Sequence, residues 1–160
     1  MNLCPCGFLN DGTDRCVCTP QQIFRYRDKI SGPLLDRIDL QVHVNAIPVH
    51  ELQSIKASES SEQIRGRVIA ARSIQLQRQH KSNSLLQGKE LNDICGLGTK
   101  ESKLLADAIT RLNLSARVYD RTLRVARTIA DMAHAEKIEV QHLSEALSYR
   151  NLDRKSSLQP

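Results

Sequence analysis

The sequence predicts a mostly α-helical chain: a cysteine-rich loop, one helix and one strand, then an all-helical bundle. Four stretches open on a capping residue, at Thr19, Ser60, Thr99 and Ser115, and continue with apolar side chains at helical spacing. One run, Ile38, Leu40, Val42 and Val44, repeats every second residue instead, as a strand with one face on a core does. Four cysteines stand in the first 18 residues, a stretch with almost no core of its own. At 160 residues the chain has room for one domain, or one and a half.

The loop comprises residues 1–18. Cys4 and Cys6 form one C-x-C pair, Cys16 and Cys18 another, with the turn signal Asn10-Asp11-Gly12 between them. Four thiolates gathered by that turn would close a tetrahedral zinc site, and a metal holds a loop that packing cannot. Disulfide or redox chemistry and free thiols are the alternatives that the spacing leaves open. Residues 19–54 follow. Thr19 caps a helix that has Pro20 in its first position and Gln22 completing a capping box, with Ile23, Tyr26 and Ile30 as its apolar stripe. Ser31-Gly32-Pro33 ends this helix and starts a short turn that feeds the predicted strand. Asn45–Glu59 reads as a connection with room for one helical turn at Val49–Ser54.

Residues 55–88 hold a long connecting helix, from its cap at Ser60 to Gln79, and the polar loop His80–Gly88. Ile64, Val68 and Ala71 mark its expected buried side; Arg65, Arg67, Arg72 and Arg78 make it basic. Residues 89–152 form the helical domain. Lys89–Cys95 is a short helix in which Cys95 is expected as a packed free thiol. Thr99 caps a helix to Leu112, with Leu104, Leu105, Ala108 and Leu112 inward. In Ala116–Ala133, Val118, Tyr119, Thr122, Val125, Ala126, Ile129 and Ala133 share one side, Arg117, Arg121 and Arg124 the opposite one, with Arg127 at its edge. A brief extended segment at Glu136–Val140 leads into Gln141–Arg150, and residues 153–160 read as a flexible tail.

Lys and Arg number 23 against 18 acids, for a net charge of +5. The surplus lies in the second half: residues 1–60 carry 6 basic and 7 acidic side chains, residues 61–160 carry 17 and 11. That permits contact with the phosphates of a nucleotide or nucleic acid. Aromatics at 3% and no Trp argue against a base-stacking platform of the single-strand-binding type. There is no run of about eighteen apolar residues and no basic-then-apolar leader, so the expectation is a cytoplasmic protein away from membranes, its cysteines reduced. The sequence contains no G-x-x-x-x-G-K-[ST] phosphate cradle, no apolar strand ending in paired acids for Mg²⁺ and no nucleophile elbow. His43, His50, His80, His134 and His142 show no ligand spacing and are expected on surfaces. On its own the sequence shows no catalytic centre.

The functional question therefore centres on Ile30–Val44, ISGPLLDRIDLQVHV. Arg37 stands between Asp36 and Asp39 where a turn enters the predicted strand, a place from which an arginine can point out of its own subunit. The same residues also describe an ordinary surface cluster of one arginine with two acids.

Met1-Asn-Leu-Cys-Pro-Cys-Gly, Cys16-Val-Cys-Thr-Pro-Gln-Gln-Ile and Ile30-Ser-Gly-Pro-Leu-Leu-Asp-Arg-Ile-Asp-Leu closely resemble the magnesium-chelatase-like AAA+ ATPases of the ComM/YifB type. The similarity continues through Glu62-Gln-Ile-Arg-Gly-Arg-Val-Ile-Ala-Ala-Arg, Leu114-Ser-Ala-Arg-Val-Tyr-Asp-Arg-Thr-Leu-Arg-Val-Ala-Arg and His142-Leu-Ser-Glu-Ala-Leu-Ser-Tyr-Arg, covering essentially the whole chain in order. Leu3 departs from it, standing where the family usually has proline. The resemblance implies the second half of an AAA+ core followed by the helical lid, with the P-loop and Mg²⁺-binding acids upstream of Met1. Residue by residue it implies Asn2 as sensor 1, Arg37 as an arginine finger reaching a neighbouring subunit's nucleotide, and Arg117 as sensor 2, with Arg121 as its rival one turn on. It also implies ATP with Mg²⁺ in the intact protein, a hexameric homo-oligomer and DNA as partner. The implied activity is that of a helicase-like motor promoting branch migration when imported strands recombine in natural transformation. A stand-alone, zinc-stabilised adaptor that binds DNA or protein through its basic helices, without ATPase activity, is the alternative reading.

Overall fold

The helices begin where the sequence supplies caps. In the computed structural model, which describes residues 2–42, 44, 47, 58–112 and 114–150, the Thr19 hydroxyl accepts from the Gln22 backbone N–H and the Gln22 side chain accepts from the Thr19 N–H, opening α1 (Pro20–Arg27). Ser60 and Gln63 make the same reciprocal pair at the start of α3 (Ser61–Gln79). Between them lies α2 (Gly32–Leu35), one turn entered through Pro33. A 3₁₀ turn at Asn83–Leu85 leads into α4 (Gly88–Ile94), α5 (Thr99–Arg111), α6 (Ala116–Met132) and α7 (Val140–Ser148). The third capping residue moves by one: Gly98 is the cap of α5 and Thr99 its first residue. Glu139 caps α7 and shares a capping box with His142, whose Nδ1 accepts from the Glu139 N–H at 3.0 Å.

The core belongs to the second half of the chain. Leu86, Leu91, Cys95, Leu105, Leu123, Ala126, Ala130, Ile138, Leu143 and Ala146 form one buried cluster, to which α4, α5, α6 and α7 all contribute. α6 is its axis, packing on α7, α3, α4 and the 3₁₀ turn. The mostly α architecture is as the periodicity predicts, and Cys95 is the packed thiol expected, its pKa pushed up to about 11 by burial.

Three details differ from the sequence pattern. No strand forms among the described residues. At the predicted strand Gln41 is buried while Ile38, Leu40, Val42 and Val44 are exposed, and the Gln41 N–H bonds Tyr149 O at 2.8 Å instead of a neighbouring strand. Alternation marks a strand only where a second strand takes its backbone groups, and the described residues supply none. On α3, Ile64 and Val68 are exposed; its buried residues lie further along, at Ala71 and Gln75, and Arg78 bonds α6 from its last turn. The arginine side of α6 is also not a solvated face: Arg127 is 2% exposed, and Arg124 donates to Leu86 O at 3.0 Å. The expected turn at Val49–Ser54, the tail and His43 lie outside the described residues.

What turns Arg127 inward is Asp131, 1% exposed and one helical turn further along α6. Its carboxylate accepts from Arg127 Nε at 3.0 Å, from Arg78 Nη1 and Nη2 of α3 at 2.6 and 3.0 Å, and from Asn83 Nδ2 at 2.8 Å. Arg127 spends its remaining donors on Ala135 O and Glu136 O, closing the turn between α6 and α7. Burial alone pushes the Asp131 carboxyl up, but the hydrogen bonds from Arg78 and Asn83 and the charge of Arg127 outweigh it and lower the pKa. A carboxyl lowered by folding stabilises the native state above its unfolded pKa, and the contribution is lost as pH falls through the folded one. Stability in urea is therefore expected to decline below about pH 4, in the window under the ordinary carboxylate value. Asp131→Ala, which leaves Arg127 buried without its counter-charge, is expected to cost about 3–5 kcal/mol at neutral pH. A loss under 1 kcal/mol in urea melts would show that the network carries no such weight.

Candidate functional site

The cysteine loop gathers its four thiols by local turn chemistry. Asp11 Oδ1 accepts from the Thr13 N–H at 2.8 Å and hydroxyl at 2.6 Å, and Asp11 Oδ2 pairs with Arg15 at 2.7 Å. The Arg15 guanidinium also lies 4.4 Å over the Phe8 ring. Gly7 has φ +85°, and a Cβ there would meet Asn2 Nδ2 at 3.1 Å, so a close approach and a left-handed backbone both call for glycine. Arg27, at the end of α1, donates to Leu3 O at 3.1 Å and fixes the loop on the helix.

Inside this frame the Sγ atoms of Cys4, Cys6, Cys16 and Cys18 all lie within 4.8 Å of one another. Cys4 Sγ is 3.3 Å from Cys6 Sγ and 3.8 Å from Cys16 Sγ, and Cys6 and Cys16 are 3.7 Å apart. A tetrahedron with metal–sulfur bonds of about 2.3 Å has edges of about 3.8 Å, so the quartet has the dimensions of a Cys₄ centre. Burial pushes the Cys4 thiol up. Hydrogen bonds from the Cys6 thiol and the Leu9 backbone, with others from Cys16 and Gly7, outweigh it and bring the pKa to about 6. The Cys6 backbone favours ionisation of Cys18, yet the neighbouring thiols, burial and the charge on Cys4 push it up to about 11. One thiolate thus suppresses the next, the repulsion that a bound dication relieves.

Of the two acids flanking Arg37, neither pairs with it. Asp36 Oδ2 accepts from the Ser115 hydroxyl at 2.7 Å, and Asp39 forms an ion pair with Arg121. The Arg37 guanidinium is exposed, with one long bond of 3.4 Å to Pro33 O in its own turn. The segment behind it is held against the helical domain. Arg121 Nη1 donates to Arg37 O at 2.6 Å, Arg150 Nη1 donates to Ile38 O, and the Gln41 N–H bonds Tyr149 O. Arg117, in the first turn of α6, is exposed and has no carboxylate partner among the described residues. Arg121, one turn on, is occupied with Asp39 and the Arg37 carbonyl. Asn2 is exposed and packs over Gly7, beside the cysteine centre.

The structure thus assembles two features that the sequence singled out separately: the thiol quartet, and two arginines left without carboxylates. What sequence reasoning missed is the bracing. Asp39–Arg121 and Asp36–Ser115 join residues about 80 positions apart, a separation at which no spacing rule operates. His142, expected on a surface, is 3% exposed in the first turn of α7; its place three residues after Glu139 was the signal available.

Residues 58–150 match the family described as magnesium chelatase, subunit ChlI C-terminal, and residues 1–52 match magnesium chelatase, subunit ChlI. The chain is 43% identical over 155 residues to the uncharacterized protein YifB of Salmonella typhimurium. It is 41% identical over the same length to the competence protein ComM of Haemophilus influenzae and to YifB of Escherichia coli. Each alignment takes in 96% of this chain and 30% of the relative, so the chain spans about a third of the length of the proteins it matches. Among the described residues no helix is long and apolar enough to cross a membrane.

Burial separates Cys95 from three of the four loop thiols. Cys95 is 2% exposed in the apolar core and Cys4 is fully buried inside the quartet, whereas Cys6, Cys16 and Cys18 are half-buried in the loop. In chelator-treated native protein at pH 8, iodoacetamide is expected to label Cys6, Cys16 and Cys18 of the loop and spare Cys95 until urea is added; peptide mass spectrometry reads the difference. Labelling of Cys95 at the rate of those three thiols would contradict its placement.

Proposed function

The chain belongs to the magnesium chelatase subunit ChlI family, in its YifB/ComM form, and on that premise we propose that it is the arginine-bearing section of an ATP-hydrolysing DNA motor. The observation that carries the proposal is that Arg37, flanked by two carboxylates, is paired with neither. A guanidinium held open in this way suits a phosphate group, whose geometry its planar fork matches. The chain contains no phosphate cradle, so the nucleotide it serves is bound by another part of the assembly. Phosphoryl transfer builds negative charge on the γ-phosphate oxygens, and an arginine supplied in trans is worth roughly 10³–10⁵ in rate.

In this reading Arg37 is the finger and Arg117, open at the positive end of α6, is the sensor-2 arginine; Arg121 is a brace rather than its rival. Asn2 takes the sensor-1 position, tied to the cysteine centre through Gly7. The assembly is a hexamer in which each subunit's arginines face the next subunit's ATP and Mg²⁺. The apolar side chains left open before the helical core, such as Val17, Phe24 and Val42, are surface of the kind a larger body covers. DNA is the proposed track and branch migration during natural transformation the proposed role, supported by the name of the competence relative and by the exposed Arg65 and Arg72 of α3. The thiol quartet holds zinc, which stabilises a loop that lacks a core.

Two measurements test this. In the intact protein Arg37→Ala is expected to lower ATP turnover on the order of 10³-fold while leaving nucleotide affinity within twofold, with and without single-stranded DNA. Turnover near that of the parent protein would overturn the finger role, and wild-type turnover indifferent to DNA would remove DNA as the track. Metal analysis of the purified chain is expected to give one zinc per molecule, lost in Cys16→Ser together with the order of residues 2–18. A metal-free chain with the same loop structure would refute the zinc centre.

A further inference from the structure

The bonds that free Arg37 also tie it to Arg117. Ser115 is the N-cap of α6, yet its hydroxyl makes no bond to its own helix. It donates instead to Asp36, the residue before Arg37, at 2.7 Å. The carboxylate thereby sits at the positive end of α6, where an anion is favoured. Arg117 lies two residues beyond Ser115. Behind the pair, Arg121 of the same helix holds both the Arg37 carbonyl, at 2.6 Å, and the Asp39 carboxylate. Two open guanidiniums from distant segments are thus mounted on one frame, and the two acids that would have quenched Arg37 are used to build it.

We propose that Asp36, Ser115 and Arg121 are positioning residues that fix Arg37 and Arg117 as a single two-arginine unit, presented together to the phosphates of one nucleotide. The inference rests on the trans-acting reading given above. It adds that the two arginines cannot be placed independently. Any movement of the first turn of α6 carries Arg37 with it, because the turn bearing Arg37 is bonded to that helix through a side chain on each side of Arg37. A phosphate reader of this kind loses rate when the frame loosens, even though both arginines remain. Misplacement of an aligned group by about 1 Å can cost on the order of 100-fold.

The test is steady-state ATP turnover in the intact protein with Ser115→Ala, Asp36→Ala, the double variant and Ser115→Thr, with thermal melting recorded on each. Ser115→Ala and Asp36→Ala are each expected to lower kcat on the order of 10- to 100-fold with KM for ATP within twofold. The double variant should be no slower than the worse single one, since both break the same bond. Ser115→Thr, which keeps the hydroxyl, should recover at least half of the parent rate. Melting temperature should not track the loss. If Asp36→Ala does not fold, Ser115→Ala and Ser115→Thr still decide the matter. Parent-like kcat in Ser115→Ala, or losses that multiply in the double variant, would overturn the proposal. Failure of the underlying reading looks different: Arg37→Ala itself would then turn over normally, whereas a dead Arg37→Ala beside an active Ser115→Ala removes the frame alone.

Discussion

Asp131 is one carboxylate serving two arginines and an amide, and the helical domain is arranged so that it can. Arg78 arrives from α3, Arg127 from its own helix and Asn83 from the 3₁₀ turn between α3 and α4. Buried charge is costly unless every donor and acceptor is met. Here the carboxylate oxygens are met by guanidinium and amide donors, and the extra positive charge is spread over the carbonyls of Ala135 and Glu136. Such a network contributes less through net energy than through uniqueness, since an apolar contact between α3 and α6 could slide and this one cannot. Thr128 adds a further stop: its hydroxyl accepts from Asn83 Nδ2 and donates to Arg124 O.

The opposite end of α6 solves a different problem with the same chemistry. At Asp131 charges are buried and paired with one another. Near Ser115 the acids are paired with α6 so that an arginine on the facing turn is left unpaired. Arg121 is the counterpart of Arg78, a guanidinium that fixes a segment distant in sequence, but it works at a partly exposed site, where an ion pair by itself is worth little. Its hold on the Arg37 segment depends on adding a backbone carbonyl to the carboxylate. Ser115, Arg150 and the Tyr149 carbonyl then supply further bonds to the same few residues. Several weak contacts spread over Asp36–Gln41 restrain that turn better than one strong one would.

Local chemistry made much of this legible in the sequence. The caps at Thr19 and Ser60, the turn at Asn10-Asp11-Gly12 that unites the cysteine pairs, and the inward Leu105, Val118 and Ala126 all follow from contacts within a few residues. Long-range partners were not legible. The alternation from Ile38 to Val44 is in the sequence, but its side chains are exposed and no second strand stands among the described residues to take its backbone groups, so the pattern is present and the strand is not. Arg127 illustrates the converse. Its place at the edge of a polar helix face is correct, and only the arrival of Asp131, Ala135 and Glu136 around it converts that edge into the interior. The freedom of Arg37 was the least legible of all. Two flanking aspartates argue for a neutralised arginine, and what decides otherwise is Ser115 and Arg121, about 80 residues away.

α6 joins these two arrangements mechanically. From Arg117 to Asp131 the helix climbs 1.5 Å per residue, so the frame around Arg37 and the buried anchor of α3 are about 20 Å apart on one rod. The rod is not loose in its bed: Val118, Leu123, Ala126 and Ala130 are buried along its length, and it packs on α7 beside it. At one end Arg78 ties it to α3, and at the other Ser115 and Arg121 tie it to the turn of Arg37. Shifting α3 without shifting the arginines would require α6 to bend or the Asp131 network to open. Bending an α-helix sharply calls for proline, a glycine or serine pair, or an inserted side chain, and the sequence from Ala116 to Met132 contains no proline, glycine or serine. α6 therefore links α3 to the turn that carries Arg37, with a buried charge network holding one end and side-chain bonds to an exposed turn holding the other.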